Sequence, residues 1–110
     1  MERAVAISRD TVGSDGIYAS VVTTAPGAAT RRHHHGPCET AIYVLSGDAH
    51  FTWGATGVEE ALDASAGDFV HIPAGEIHVE QSASLTDELV VVVSRNCDDE
   101  VTIYVDEEEG

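Results

Sequence analysis

Lysine is absent from this chain of 110 residues, and five arginines stand against 20 aspartates and glutamates, for a formal net charge of −15. Such a surface repels phosphate backbones and anionic lipid headgroups, so nucleic acid and membrane surfaces are excluded as natural partners. No apolar run approaches the roughly 20 residues that cross a bilayer. The opening residues, MERAVAISRD, lack the apolar stretch of a secretory leader. A soluble, cytoplasmic protein is therefore expected. Cysteine is scarce: Cys38 and Cys97 are the pair, too few for a disulfide framework, and in a cytoplasmic chain free thiols are expected. The length suits one domain with one core and is too short for two. That domain is expected to span residues 1–110, with its core at about 16–105 and an acidic tail, DEEEG, at 106–110.

What is abundant is acid and short apolar segments. The plain reading of the acid is a soluble protein with a charged tail. The sharper reading is a halophilic one, since a lysine-free, acid-rich composition resembles that of proteins adapted to high internal salt, where counter-ions screen the self-repulsion. Runs rich in Val, Ile, Thr and aromatics recur at 4–8, 16–25, 40–47, 49–54, 68–73, 88–94 and 100–105. Gly, Pro, Asp and Ser clusters such as APGAAT, SGD, SAGD and PAGE separate them. Regular short strands with this punctuation predict an all-β sandwich or barrel. The one candidate helix, VEEALDAS at 58–65, reads equally well as an edge strand. The run ELVVVVS predicts a strand buried on both faces, one of them against a second subunit, so a homodimer is expected.

Six histidines are placed informatively. His33 and His35 lie two apart, and on an extended segment such side chains point the same way, so both imidazoles can face one point while His34 faces the other side. Glu39 follows Gly36-Pro37-Cys38, a segment able to turn the chain back to the same centre. His78 lies far along the chain, just after PAG. Three neutral imidazoles and a carboxylate suit one divalent transition metal, with room left for water or substrate.

The flanking residues carry a resemblance. Gly27 is followed by five residues, then His33, one residue, His35, three residues and Glu39; Gly67 is followed by five residues, then Pro73, Gly75 and, after two more, His78. This resembles the two motifs of the cupins, G-x5-H-x-H-x3,4-E-x6-G and G-x5-P-x-G-x2-H-x3-N. The resemblance implies a double-stranded β-helix, or jelly-roll, barrel with His33, His35, Glu39 and His78 as metal ligands. Two positions depart from the motifs. Seven residues rather than six separate Glu39 from Gly47, so counting back six lands on Thr40. A slip of one residue turns a strand side chain to the opposite face unless a bulge or turn re-aims it, which leaves a three-histidine site as the alternative. Ser82 stands at the final asparagine position.

Cys38 is a candidate ligand or thiol near the metal, or simply a small turn residue. Tyr43, Phe51 and Trp53 are candidates to line a pocket, though core packing is the commoner role for such residues. His50 and His71 fall outside both motifs and read as surface or packing residues. One of Arg31 and Arg32 is placed to reach the barrel mouth and hold an anion. The implied function is a small metal-binding cupin using Zn, Fe, Mn, Ni or Cu and taking a small-molecule ligand. Alternatives are a dioxygenase-type oxidoreductase, a sugar or small-acid isomerase, and a non-catalytic binding module; the fold itself does not choose among them.

Overall fold

Along Leu89–Arg95 the residues Leu89, Val91, Val93 and Arg95 are buried, while Val90, Val92 and Ser94 are half-buried. This alternation, the two-residue period of an extended chain, recurs along Tyr18–Thr24, Thr40–Ser46 and His78–Ser82. The computed structural model describes residues 1–54 and 57–105. The acidic tail at 106–110 and part of the GATG turn lie outside the described residues.

The elements in chain order are β1 (Glu2–Ile7), α1 (Arg9–Val12), β2 (Tyr18–Thr24), β3 (His33–His34), β4 (Thr40–Ser46), β5 (Asp48–Trp53), β6 (Glu60–Ser65), β7 (Phe69–Ile72), β8 (His78–Ser82), β9 (Leu89–Arg95) and β10 (Ile103–Tyr104). They form two five-stranded sheets, ordered β1-β2-β9-β4-β7 and β10-β3-β8-β5-β6, with every pair antiparallel. This is the all-β architecture that the strand spacing predicted and the jelly roll that the cupin resemblance implied. The ambiguous segment 58–65 resolves as strand β6. Among the described residues there is also one four-residue helical turn, α1, started by a reciprocal Ser8–Thr11 cap and ended by Gly13 at φ 71°.

Inward-facing Val22, Ile42, Val44, Ala49, Phe51, Val70, Ile72, Leu89, Val91 and Val93 pack between the sheets as one core. Each large aliphatic side chain so buried contributes roughly 1.5–3 kcal/mol by leaving water. Gly47 joins β4 to β5 at φ 86°, and a Cβ there would collide with the Glu88 carbonyl oxygen, so the close approach of these backbones requires glycine.

Within the chain the valine run is buried on one face, and its outward residues Val90 and Val92 are half-buried. Register carries Val92 into a charge-free outer row, Ala4–Val21–Val92–Tyr43–Phe69, that crosses the whole first sheet. One expectation is corrected: the cysteines are not free. Cys38 and Cys97 form a disulfide with their Cα atoms 5.8 Å apart. The reason is register: β4 pairs with β9 so that Thr40 faces Arg95, and stepping two residues outward along both antiparallel chains brings position 38 opposite position 97. Neither thiol is available as a ligand or a redox group while the bridge stands.

Candidate metal centre

Three imidazoles meet inside the barrel. His33 lies on β3 and His78 begins β8, and the two are register partners. His35 follows β3 by one residue, on the same face as His33. All three are buried, at 6 %, 4 % and 5 % exposure. Their ring centroids are 4.3 to 5.1 Å apart. One nitrogen of each lies within 4.8 Å of the others.

The opposite edge of each ring is anchored to the main chain. Nδ1 of His33 lies 2.7 Å from the Arg31 carbonyl oxygen, Nδ1 of His35 2.7 Å from that of Val101, and Nδ1 of His78 2.8 Å from that of Glu76. A carbonyl only accepts, so each Nδ1 carries the proton and each Nε2 keeps its lone pair. Burial, the largest influence, lowers the pKa of all three rings from 6.5. His35 falls to about 3, with the Arg95 charge adding to the effect. His78 falls to about 4, with the His33 charge adding. His33 is lowered as well, against the raising effect of its bond to Arg31. The rings are therefore neutral at ordinary pH, the state a metal requires of them.

Glu39 is not among them. Thr40, Ile42 and Val44 are the buried positions of β4, so Glu39 falls on the outward parity. Its carboxylate, 56 % exposed, pairs at 2.7 Å with Nε2 of His71 on the outer face. The residue facing inward is Thr40, 1 % exposed. The one-residue offset from the motif thus has its geometric consequence, and nothing in the turn re-aims the glutamate.

What reaches the centre instead is Arg95, the last inward residue of β9. Its Nη2 donates to Nε2 of His35 at 3.3 Å, its Nε donates to Thr40 Oγ1 at 3.2 Å, and its Nη1 lies 3.5 Å from Glu100 Oε1. Arg3 approaches the same Glu100 carboxylate at 3.6 Å, and Thr102 donates to it. Glu80, two residues after His78 and on its face, is buried with Oε1 lacking a hydrogen-bond partner among the described residues. Burial raises its pKa to about 7, opposed by the Arg95 and Arg3 charges. The three histidines, Arg3, Glu80, Arg95 and Tyr104 line one small cavity of about 30 Å³. A larger, mainly apolar cavity of about 230 Å³, lined by Phe51, Trp53, Leu62 and Ile72 among others, touches the other side of His78.

Other candidates are settled by position. Phe51 is core as well as cavity wall, and Tyr43 lies against Phe69 on the outer face with tilted rings, their centroids 4.7 Å apart. His50 pairs with Asp63 on the surface at 2.7 Å. Arg31 lies over the Tyr104 ring, 4.4 Å from its centre, at the edge of the small cavity.

The cupin-domain profile matches residues 20–94. The chain belongs to the cupin family. Solved structures agree in fold. This cupin superposes on an oxalate oxidase in complex with the substrate analogue glycolate (TM-score 0.81, 22 % identity, 94 % of this chain and 54 % of that one). It superposes equally well on the oxalate decarboxylase of Bacillus subtilis, in work on its Mn(II) centres (TM-score 0.82, 24 % identity, 94 % of this chain and 27 % of that one). A third match is Peruvianin-I, described as a cysteine peptidase from Thevetia peruviana latex (TM-score 0.81, 15 % identity, 94 % and 66 %). The cupin thus spans between 27 % and 66 % of the length of these proteins. No curated protein sequence matches it. Among the described residues no helix is long and apolar enough to cross a membrane.

The donor chemistry fits a metal. Three buried, neutral imidazoles with fixed tautomers converge, and a backbone acceptor behind each ring is the support that metal-binding histidines ordinarily have. Sequence reasoning missed Arg95 and Glu80. Counting by twos from Leu89, and from His78, would have found both.

Proposed function

We propose that this cupin holds one divalent transition metal ion on Nε2 of His33, His35 and His78 and takes a small molecule as a further ligand. The observation that carries this reading is the anchoring of all three Nδ1 atoms on main-chain carbonyls, which leaves the Nε2 atoms of three buried, clustered rings as acceptors. An all-imidazole set suits Zn, Fe, Ni or Cu better than Mn, which prefers oxygen donors. Bound there, the metal would supply Lewis acidity. The protein's part is to hold the rings neutral, exclude bulk water and present the ligand to a charged wall formed by Arg95 and Glu80.

Elemental analysis of protein loaded with each metal and then desalted tests the reading. One equivalent is expected in the parent protein and in Glu39→Ala, and less than about a tenth of that in His78→Ala. A parent protein that emerges metal-free from every loading would overturn it.

We also propose that a second copy of the chain covers the outer row Ala4–Val21–Val92–Tyr43–Phe69, since two copies of a strongly acidic chain can approach there without juxtaposing carboxylates. Sedimentation velocity is expected to give a dimer for the parent and a monomer for Tyr43→Glu. A parent that sediments as a monomer at all salt concentrations refutes it.

A further inference from the structure

The metal reading leaves one contact unexplained. The Nε2 lone pair of His35, which a metal would need, is occupied by a hydrogen bond from Arg95 at 3.3 Å. A guanidinium therefore stands beside the place where a carboxylate ligand was expected, because β4 turns Glu39 outward and presents only the Thr40 hydroxyl. A divalent ion and a guanidinium a few ångströms apart in a buried cavity repel strongly.

We propose that this centre binds its metal together with a small carboxylate anion, with Arg95 as the anion-holding residue. The inference rests on the metal reading and deepens it by naming the ligand class. The anion supplies from outside the negative donor that the chain withholds. Placed between metal and guanidinium, it turns a repulsive pair into two attractive ones.

Four observations point the same way. Arg95 is committed to the barrel interior, with a side chain only 5 % exposed, and the carboxylate nearest it, Glu100 at 3.5 Å, is shared with Arg3 and Thr102. Its planar fork matches a carboxylate in two-point fashion, which an ammonium would not. The chain has only five arginines among 20 acidic residues, yet Arg3 and Arg95 both line this cavity and Arg31 covers Tyr104 at its edge. Against these three stand the carboxylates of Glu80 and Glu100, so the cavity holds more guanidinium than carboxylate, the reverse of the chain as a whole. Finally, the cavity is small, about 30 Å³ where a single water needs about 10–15 Å³ on the same measure, so the anion has few atoms, of formate or acetate size.

Because both ligands act on one charge balance, their affinities are linked and the linkage is reciprocal. Calorimetric titration of Co(II) into metal-free protein, in a chloride buffer with and without 10 mM acetate, tests this. Acetate is expected to tighten Co(II) binding to the parent at least tenfold, and acetamide, its neutral counterpart, to leave it unchanged. In Arg95→Gln, Co(II) is expected to bind more tightly than to the parent without acetate, and the acetate effect to fall below twofold. Arg95→Lys keeps the charge without the fork and serves if the glutamine variant fails to fold; an acetate effect between the other two is expected there.

A parent whose Co(II) affinity ignores acetate, or a glutamine variant that keeps the tenfold effect, overturns the inference. So does a parent that ignores acetate but loses Co(II) in Glu80→Gln, because the carboxylate is then internal. If Co(II) does not bind the parent at all, the metal reading falls. Acetate titrated into the metal-free protein then decides the anion by itself: heat lost in Arg95→Gln supports Arg95 as its holder, and no heat in the parent overturns it.

Discussion

Breaking the Cys38–Cys97 bridge is the perturbation whose size follows most directly from the structure. The two cysteines are 59 residues apart in sequence, so the bridge closes a loop that contains β4 to β9 and denies the unfolded chain most of its large-scale freedom. On the chain-entropy account, closing a loop of that length is worth about 4 kcal/mol at 25 °C. Folded domains are stable by only about 5–15 kcal/mol in total, so the loss is a large share. The assay is urea unfolding followed by tryptophan fluorescence, comparing the oxidised parent with Cys38→Ser/Cys97→Ser. A thiol titration in denaturant without reductant, expected to find none, checks that the bridge is present. The expected outcome is a drop in unfolding free energy of about 2–4 kcal/mol with a steeper slope, because the unbridged unfolded chain exposes more surface. A drop under about 1 kcal/mol, with the bridge verified in the parent, would refute the reasoning. The same bridge pins the segment after His35 to the segment after Arg95, so the serine pair is also expected to weaken Co(II) binding.

Three further outcomes are expected. Acidification of the metal-free protein pits groups of opposite sign: His35 and His78 have folded pKa values of about 3 and 4, below the ordinary 6.5, so below pH 6.5 the unfolded chain binds more protons and stability falls. At pH 5.5 this costs on the order of 3 kcal/mol for the two rings. Glu80, raised from 4.5 to about 7, takes its proton more readily when folded and restores on the order of 2 kcal/mol between pH 8 and 5.5. Glu80→Gln should therefore lose more stability than the parent over that range; an equal loss in urea midpoints counts against these assignments. Gly47→Ala should destabilise by about 2–4 kcal/mol through its positive φ and its collision with Glu88, and an unchanged melting temperature would contradict the turn described. Removing the exposed Glu39–His71 pair by Glu39→Ala should cost less than about 1 kcal/mol, as read by urea midpoint; a larger loss would mean that Glu39 does more than pair on the surface.

The fold was legible wherever short runs of Val, Ile, Thr and aromatics lie between turn residues, as in β2, β4, β5, β7 and β9. It was illegible where the barrel lining is polar. HVEQS, which is β8, presents His78, Glu80 and Ser82 inward, so hydrophobic periodicity is silent there for the same reason that the segment lines the site. His33, His35 and His78 were readable because their spacing in the chain survives folding: two on one strand face, the third behind a proline-glycine bend. Glu39 was misplaced because face is a matter of parity, and the offset from Gly47 had to be resolved by the strand itself. Arg95 was hidden at the end of a valine run that reads as uniformly apolar until its two faces are separated. The disulfide depends on the register between β4 and β9, which no local pattern contains.

The three carbonyl anchors behind the histidines have a consequence for the electrical character of the centre. A carboxylate in that position would pass negative charge through the ring toward the metal; a carbonyl passes only a dipole. With three neutral rings as donors and Glu39 turned away, the protein's donor atoms would contribute no negative charge, so a divalent ion held there would keep its formal charge of +2 until an anion joined it. A water on such an ion would be more acidic than one on a carboxylate-ligated centre. The same deficit would make the ion harder to oxidise. The choice of backbone over side chain as the support for three rings thus favours Lewis-acid behaviour over easy electron transfer.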